Sequence, residues 1–394
     1  MKKFLDFFQN SDILVQEFTK NGGTYKIMIK IKKFAKSNAV FLIVLTLAIV
    51  TSFVVKPDQA YFGYFDLKTL ACLFCTLAVV CALKDIKFFT ILARKIISAT
   101  GSMRSAVLAL VFITFFGSML IANDMALITF LPLGYYVLSS TGKEKYMAFV
   151  FVMQNIAANL GGMLTPFGNP QNLYLYSKFN ISNSEFVSIM LPLFITATAI
   201  IVICCLFIKN EKIEPCEKIE LHLNKPLTAI YILLFAISIA IVFRAIPYYI
   251  GTVIVFLGVL VFDRHALKAV DYGLLLTFVC FFIFAGNMSR IESVRAMFTV
   301  LLGENTLLVS IMSCQFISNV PSAILLSQFT DNYRELLMGV NIGGAGTLIA
   351  SLASLITFKE YTSHNRGKVL KYLGVFTALN VLFLVVLTAE AMII

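Results

Sequence analysis

Four short polar stretches interrupt an otherwise apolar chain, and their residue types could do chemistry. IANDMA carries Asn123 and Asp124, ISNVPS carries Ser318, Asn319, Val320 and Pro321, NLGGMLTPFGNPQN occupies 159–172 and NIGGAGTLIASLAS occupies 341–354. A polar side chain at a helix start can help hold an anion, because the first turn presents unpaired N–H groups and the positive end of the helix dipole. Glycine loosens a helix, and proline removes a donor and blocks the preceding turn. A helix unwound in mid-membrane frees carbonyl oxygens for a cation. Asp124, ionisable within an apolar segment, is a functional candidate by default; its alternative is to cap a half-helix starting at Met125.

These stretches come in pairs. FGSMLIANDMALI aligns with VSIMSCQFISNVPSAIL on Asn123 and Asn319. NLGGMLTPFGNPQN aligns without a gap with NIGGAGTLIASLAS, matching Asn159 to Asn341, Gly161 and Gly162 to Gly343 and Gly344, and Thr165 to Thr347. Upstream, FDLKTLACLF resembles VDYGLLLTFV, pairing Asp66 with Asp271. Each half then holds a span, an amphipathic basic stretch, a hairpin with an Asn tip and an interrupted helix ending in a further span. An odd number of crossings between matching elements sets the halves in opposite orientations. Inverted repeats with paired interrupted helices point to a secondary transporter with its site at the midplane. On this reading Asn123, Asn319, Thr165, Thr347, Asn169 and Ser351 meet there. A lone Gly–Gly pair would be explained by close helix packing; four motifs matched pairwise favour a binding site.

The elements that must position these residues are membrane helices. Of 394 residues 59% are hydrophobic and 13% charged, and mean hydropathy is +0.88, so the chain is an all-α polytopic membrane protein lying in the lipid bilayer. Spans of the required length, about 20 residues, are expected near 38–55, 66–83, 185–208, 226–243, 247–262, 271–286 and 367–391. The segments 104–138 and 305–329 are expected to enter and leave by one face as re-entrant hairpins, which requires cover by protein or water. The organisation is a cytoplasmic arm (1–37), a first repeat (38–208), a cytoplasmic linker (209–225) and a second, inverted repeat (226–394), all in one membrane domain. The arm lacks the apolar core and cleavage site of a signal peptide.

Charge sets the orientation. Placing the lysine-rich KIMIKIKKFAK inside puts the loops around Lys84–Lys95, Lys143–Lys145, Arg264–Lys268 and Lys359–Lys371 inside as well. That predicts a plasma (inner) membrane protein with a cytoplasmic N-terminus and an extracytoplasmic C-terminus. The net charge of +11 is explained by this bias, so no nucleic-acid partner is expected. The eight cysteines lie mostly in apolar spans without nearby His ligands, Cys72 and Cys75 at CxxC spacing among them, and read as small core residues. The histidines fall in loops, so no imidazole metal site is expected. Arg104, Arg244, Arg290 and Arg295 read as interfacial anchors. Neither HExxH, GxGD, a Ser/His pair within the membrane nor GxxxxGK occurs, so the chain is expected to be neither an intramembrane hydrolase nor an ATP-driven pump, and to need no cofactor. A channel is disfavoured by the paired interruptions.

At these residues the chain resembles the ion transporter superfamily, with citrate transporter-like and arsenite permease-like anion permeases and the divalent anion/sodium symporters among its branches. The resemblance covers the chain from about Asn38 to the end. It implies an elevator-type mechanism, a scaffold that commonly mediates a homodimer, and a transport part carrying both hairpins. The symporter branch has Ser-Asn-Thr at both tips; here the tips are Ala122-Asn123-Asp124 and Ser318-Asn319-Val320, so both threonines are lost. By position, the resemblance implies one cation site at Ser118, Asn123 and the backbone near Leu164. A second would lie at Cys314, Ser318, Asn319 and the backbone near Gly346, weakened by the Cys314 sulfur. Substrate contacts are implied at Asn123, Asp124, Thr165, Pro166, Asn169, Asn319, Val320, Pro321, Thr347 and Ser351. The coupling ion is Na+ or H+, with no other metal. Asp124 matches the arsenite-permease branch. An ionised carboxylate about 4 Å from a substrate carboxylate costs roughly 4 kcal/mol at an effective dielectric of 20, so Asp124 is expected to take a proton or to pair with a cation. The function expected is cation-coupled transport of a small anion or oxyacid, with arsenite or antimonite efflux or Na+/H+ antiport as the alternative.

Overall fold

The computed structural model describes residues 39–213 and 223–394; the N-terminal arm, much of the linker, Cys216 and His222 lie outside them. The described part of the first half runs α1 (Ala39–Val54), α2 (Leu67–Asp85), α3 (Phe88–Ile97), α4 (Met103–Ile121), α5 (Asn123–Ser140), α6 (Met147–Gly161), α7 (Pro170–Lys178) and α8 (Asn183–Leu206). The second runs α9 (Lys225–Val242), α10 (Tyr248–Phe262), α11 (Arg264–Ala269), α12 (Tyr272–Arg290), α13 (Glu292–Ile317), α14 (Asn319–Leu326), α15 (Tyr333–Gly343), α16 (Leu352–His364) and α17 (Val369–Ala391). Among the described residues, eight helices are long and apolar enough to cross a membrane, hairpin legs included. Among the described residues, strand-like pairing appears only as an isolated bridge between Ser102 and Lys212.

Local chemistry fixes where these helices start. Asp66 and Asp271, matched in sequence, both cap: Asp66 accepts from Thr69 N at 3.0 Å and Asp271 from Leu274 N at 2.9 Å. Such a cap contributes about 1 kcal/mol. Within α13, Asn305 leaves helical geometry (φ −162°, ψ 92°). Its side chain accepts from Leu308 N at 2.8 Å, and Glu335 accepts from Leu307 N at 3.0 Å. The amphipathic stretch before Asn305 is thereby bent into the hairpin leg after it.

Packing repeats the pairing seen in sequence. Helix α1 packs on α12 and α2 on α10; α4 packs on α5 and α6, as α13 does on α14 and α15. The second legs cross over: α5 packs on α16 and α14 on α7. Close approach needs glycine. A Cβ on Gly161 would stand 2.3 Å from Phe115 O, and one on Gly343 2.7 Å from Cys314 Cβ. Here the structure corrects the sequence reading of the first motif, because Gly161 still belongs to α6 and serves packing. Helical structure persists as a 3-10 turn over Gly162–Leu164 and is lost only between Thr165 and Asn169.

Contacts tie the basic loops together at one end of the molecule. His265 pairs with Asp85 at 3.0 Å, Arg94 lies over the Tyr136 ring at 5.5 Å, and His364 stacks on Tyr135 at 3.7 Å. Lys143 and Lys145 both hold Glu211. Two of the arginines expected as interfacial anchors have defined partners. Arg104 Nε donates to Ile208 O at 2.8 Å, and Arg290 grips both Asp58 oxygens at 3.0 and 2.6 Å.

Candidate binding site at the paired hairpin tips

Each hairpin turns at a single residue in the left-handed region, Ala122 (φ 62°) and Ser318 (φ 75°). Positive φ is uncommon for residues with a Cβ, and both turns bear this strain at the same point. Directly after it an asparagine opens a new helix. Asn123 Oδ1 accepts from Asp124 N, and Asn319 Oδ1 accepts from Val320 N, both at 2.9 Å. Each tip asparagine thus accepts from the next backbone N–H in the same way.

Both tips line one cavity of about 360 Å3. Asn123, Asp124, Ser318, Asn319, Val320 and Pro321 face it, joined by Pro170 and Gln171 at the start of α7 and Leu352 at the start of α16. Four helix N-termini therefore border the same space, and their partial positive charges favour an anion. The far wall is apolar, from Val40 to Leu47 on α1 and Leu274 to Phe284 on α12. Asp124 does not cap: one of its oxygens is buried without a hydrogen-bond partner among the described residues. Gln171, 1% exposed, likewise leaves Oε1 unpartnered. Sequence reading passed over Gln171, although it stands inside the quoted NPQN, because a lone Gln beside Pro carries no spacing signal.

Behind the tips lies a buried amide lattice. Asn123 donates to Asn159 Oδ1 at 3.0 Å, Asn159 donates to Ser351 Oγ at 3.1 Å, and Asn169 donates to Asn341 Oδ1 at 3.3 Å. Asn341 donates to Asn172 Oδ1 at 2.6 Å. Carbonyls loosened by the breaks are met by side-chain amides. Asn172 Nδ2 reaches Gly162 O, Met163 O and Thr165 O at 3.3 to 3.5 Å. Gln315 donates to Gly343 O at 2.9 Å and accepts from Thr347 N at 2.8 Å. Unpaired buried backbone groups are costly, which is why the lattice exists.

The remaining expected residues lie off the cavity. Thr165 Oγ1 donates to Met119 O at 2.9 Å and Thr347 Oγ1 to Gln315 O at 3.0 Å, so both threonines turn toward the hairpin legs. Asn169 and Ser351 begin the second halves of the broken helices and face the lattice. Pro166 is buried in the first break. Around the first cation position, Ser118 Oγ donates to Phe115 O at 2.8 Å beside Gly161. That position keeps oxygen donors suited to a hard cation. At the second, buried Cys314 offers sulfur where an oxygen ligand is expected, and Gln315 occupies the break beside Gly346. Among the described residues no cluster of His, Cys, Asp or Glu could hold a metal ion.

Residues 25–333 match the model of the CitMHS family, described as citrate transporter. An uncharacterized transporter of Methanocaldococcus jannaschii is 33% identical over 342 residues, 86% of this chain and 92% of that protein. The inner membrane protein YbiR of Escherichia coli is 28% identical over 283 residues, 69% of this chain and 74% of its own. A silicon efflux transporter of Oryza sativa subsp. japonica is 28% identical over 180 residues, 45% of this chain and 36% of its own.

Proposed function

The chain belongs to the citrate transporter family and is a multi-pass membrane transporter; from that premise we propose that it moves a small anion or oxyacid by secondary active transport, coupled to a proton. One observation carries the reading: two asparagine tips and the starts of two broken helices converge on a single cavity. The four helix ends supply positive potential, and the tip amides and Gln171 supply directed hydrogen bonds. Asp124, with a free buried oxygen in the same cavity, carries the proton. Protonated, it admits an anion; ionised, it repels one. Proton coupling is favoured over Na+ by the amides of Asn172 and Gln315, which already satisfy carbonyls at both breaks.

Alternating access in this scheme is of the elevator type. Helices α1, α2, α9, α10 and α12 form the scaffold of a homodimer, and the two inverted-repeat hairpins with their broken helices form the moving part. The cavity lies on the seam between them, against α1 and α12. With the basic loops in the cytoplasm of a plasma-membrane protein, the cavity extends toward the inside.

Purified protein in proteoliposomes tests the reading with citrate, sulfate and arsenite as probes. Asn123→Ala and Asn319→Ala are each expected to abolish transport of the accepted probe; unchanged transport in both would remove the tips from the site. Asp124→Asn is expected to flatten the pH dependence. A second reading, efflux of a weak oxyacid that is neutral at physiological pH, is favoured by Asp124 itself, since a carboxylate tolerates an uncharged substrate. Arsenite as the sole transported probe would select it, and the silicon efflux relative makes silicic acid a further probe.

A further inference from the structure

A second cavity, about 350 Å3, lies further along α7 and α12, two of the helices that line the first. Helix α7 connects the two, from Gln171 in the first cavity to Lys178 in the second, seven residues or about 10 Å along the axis. Between the cavities stands an aromatic layer. Tyr174 and Phe282 lie 5.6 Å apart and both line the second cavity, and Phe278, which lines the first, packs edge-on against Phe282. The Tyr174 hydroxyl is held by Ser327 at 2.9 Å and Gln328 at 3.2 Å.

Charge gives this cavity its character. Lys68 and Lys178 both line it, and among the described residues neither forms an ion pair with a carboxylate. The one carboxylate in the lining, Asp66, has both oxygens engaged by Thr69. Lys178 has a structural role, as a cation at the C-terminus of α7. Lys68 has none of that kind, because it sits in the first turn of α2, where the helix dipole opposes a cation. Arg244 adds a third positive charge near enough to act on Lys68, while the Asp66 carboxylate acts on both lysines and Asp331 on Lys178 without pairing directly. A lined, polar chamber with two unpaired ammonium groups is arranged for an anion.

We propose that this chamber is a second anion site, distinct from the tip cavity, which binds a small carboxylate or oxyanion between Lys68 and Lys178 on its way to or from the tips. The identity of the occupant as the transported anion rests on the function proposed above; the existence of the site does not. Electrostatic loading of this kind raises the local anion concentration at the mouth of the route.

The test is an amine-acylation footprint of the full chain in detergent, read by mass spectrometry at Lys68 and Lys178, with citrate and sulfate as probes and sodium chloride at matched ionic strength as control. At a probe concentration ten times its dissociation constant, labelling of both lysines is expected to slow about tenfold, because occupancy sets the free fraction. The same protection is expected in Asn123→Ala, and Lys68→Gln is expected to abolish it at Lys178. Labelling that neither probe slows overturns the proposal, as does protection that vanishes in Asn123→Ala, which would place the anion at the tips. Protection at Lys178 that survives Lys68→Gln would show independent surface amines and overturn it too. Protection intact with no transport of any probe leaves this site standing and removes the tip reading instead.

Discussion

Asn159 donates its side-chain amide to Ser351 Oγ at 3.1 Å, joining the first broken helix to the second across 192 positions of chain. The same Asn159 side chain accepts from Asn123 at 3.0 Å, so one amide ties a hairpin tip to the opposite break. Asn159→Leu would strand Asn123 Nδ2 in a buried setting and leave Ser351 without that donor. Each orphaned group costs about 1–3 kcal/mol. A lower unfolding temperature together with loss of transport is expected; loss of transport at unchanged stability would make Asn159 a ligand rather than a strut.

Gly161→Ala and Gly374→Ala should part company. A methyl at Gly161 would meet backbone oxygen at 2.3 Å, whereas nothing lies within 4 Å at Gly374. Overpacking of this kind costs typically 1–3 kcal/mol, while Gly→Ala in an open helix interior gains about 0.5–1 kcal/mol. Thermal unfolding of the two variants in one detergent decides; equal shifts would mean that α4 and α6 yield to the methyl.

Gln171→Leu separates binding from folding. Its Oε1 is buried and unpartnered in the tip cavity, so an apolar side chain of similar size should leave stability unchanged or slightly raised. Loss of one hydrogen bond to substrate should raise KM about tenfold, equivalent to about 1.4 kcal/mol. An unaltered KM would assign Gln171 to the wall alone.

Much of the helix order was legible because polar or proline residues bound the apolar runs. Asp66, Pro226, Pro247 and Asp271 mark four starts, and the helices there begin at Leu67, Lys225, Tyr248 and Tyr272. The turns at Ala122 and Ser318 also fall where the paired asparagines locate them. What sequence could not give was direction around a helix or a break. Thr165 and Thr347 occupy matching positions, yet their hydroxyls turn to the carbonyls of Met119 and Gln315. Asn172 and Gln315 went unnoticed for a related reason. Their task is to satisfy carbonyls brought near by tertiary packing, and no local spacing announces it.

Acid should loosen the loop at Glu211. Lys143 and Lys145 bond its carboxylate and hold its pKa at about 2, below the ordinary 4.5. A depressed carboxyl pKa contributes stability in full above 4.5, and that contribution is lost as pH falls through 2. The difference in unfolding temperature between wild type and Glu211→Gln is therefore expected to be constant above pH 4.5, to shrink below it and to vanish near pH 2. A difference that stays constant throughout would show that the backbone contacts at this loop, Met103 N to Glu211 O at 2.8 Å among them, hold it without the charge.

Arg244 should act as a latch between scaffold and moving part. It follows the end of α9, which packs on α2, yet its guanidinium donates to Tyr176 O at 2.9 Å and lies 4.5 Å from the Tyr176 ring centre on α7. If the hairpins and broken helices slide past the scaffold, these contacts must break in one direction and form in the other. A charge-assisted hydrogen bond contributes about 1.5–3 kcal/mol and an exposed cation–π contact about 0.5–1 kcal/mol. Even the lower part of that sum shifts a two-state population by tenfold or more, about 1.4 kcal/mol per decade. Arg244→Gln is thus expected to raise the time spent in the other state, read as faster thiol labelling of Ser318→Cys from the face opposite the basic loops. Arg244→Lys keeps the charge but loses the planar stack and the fork of donors, so it should fall between the two. Labelling that is identical in all three proteins would make Arg244 a fixed brace within one rigid body, and the seam between scaffold and moving part would then have to run elsewhere.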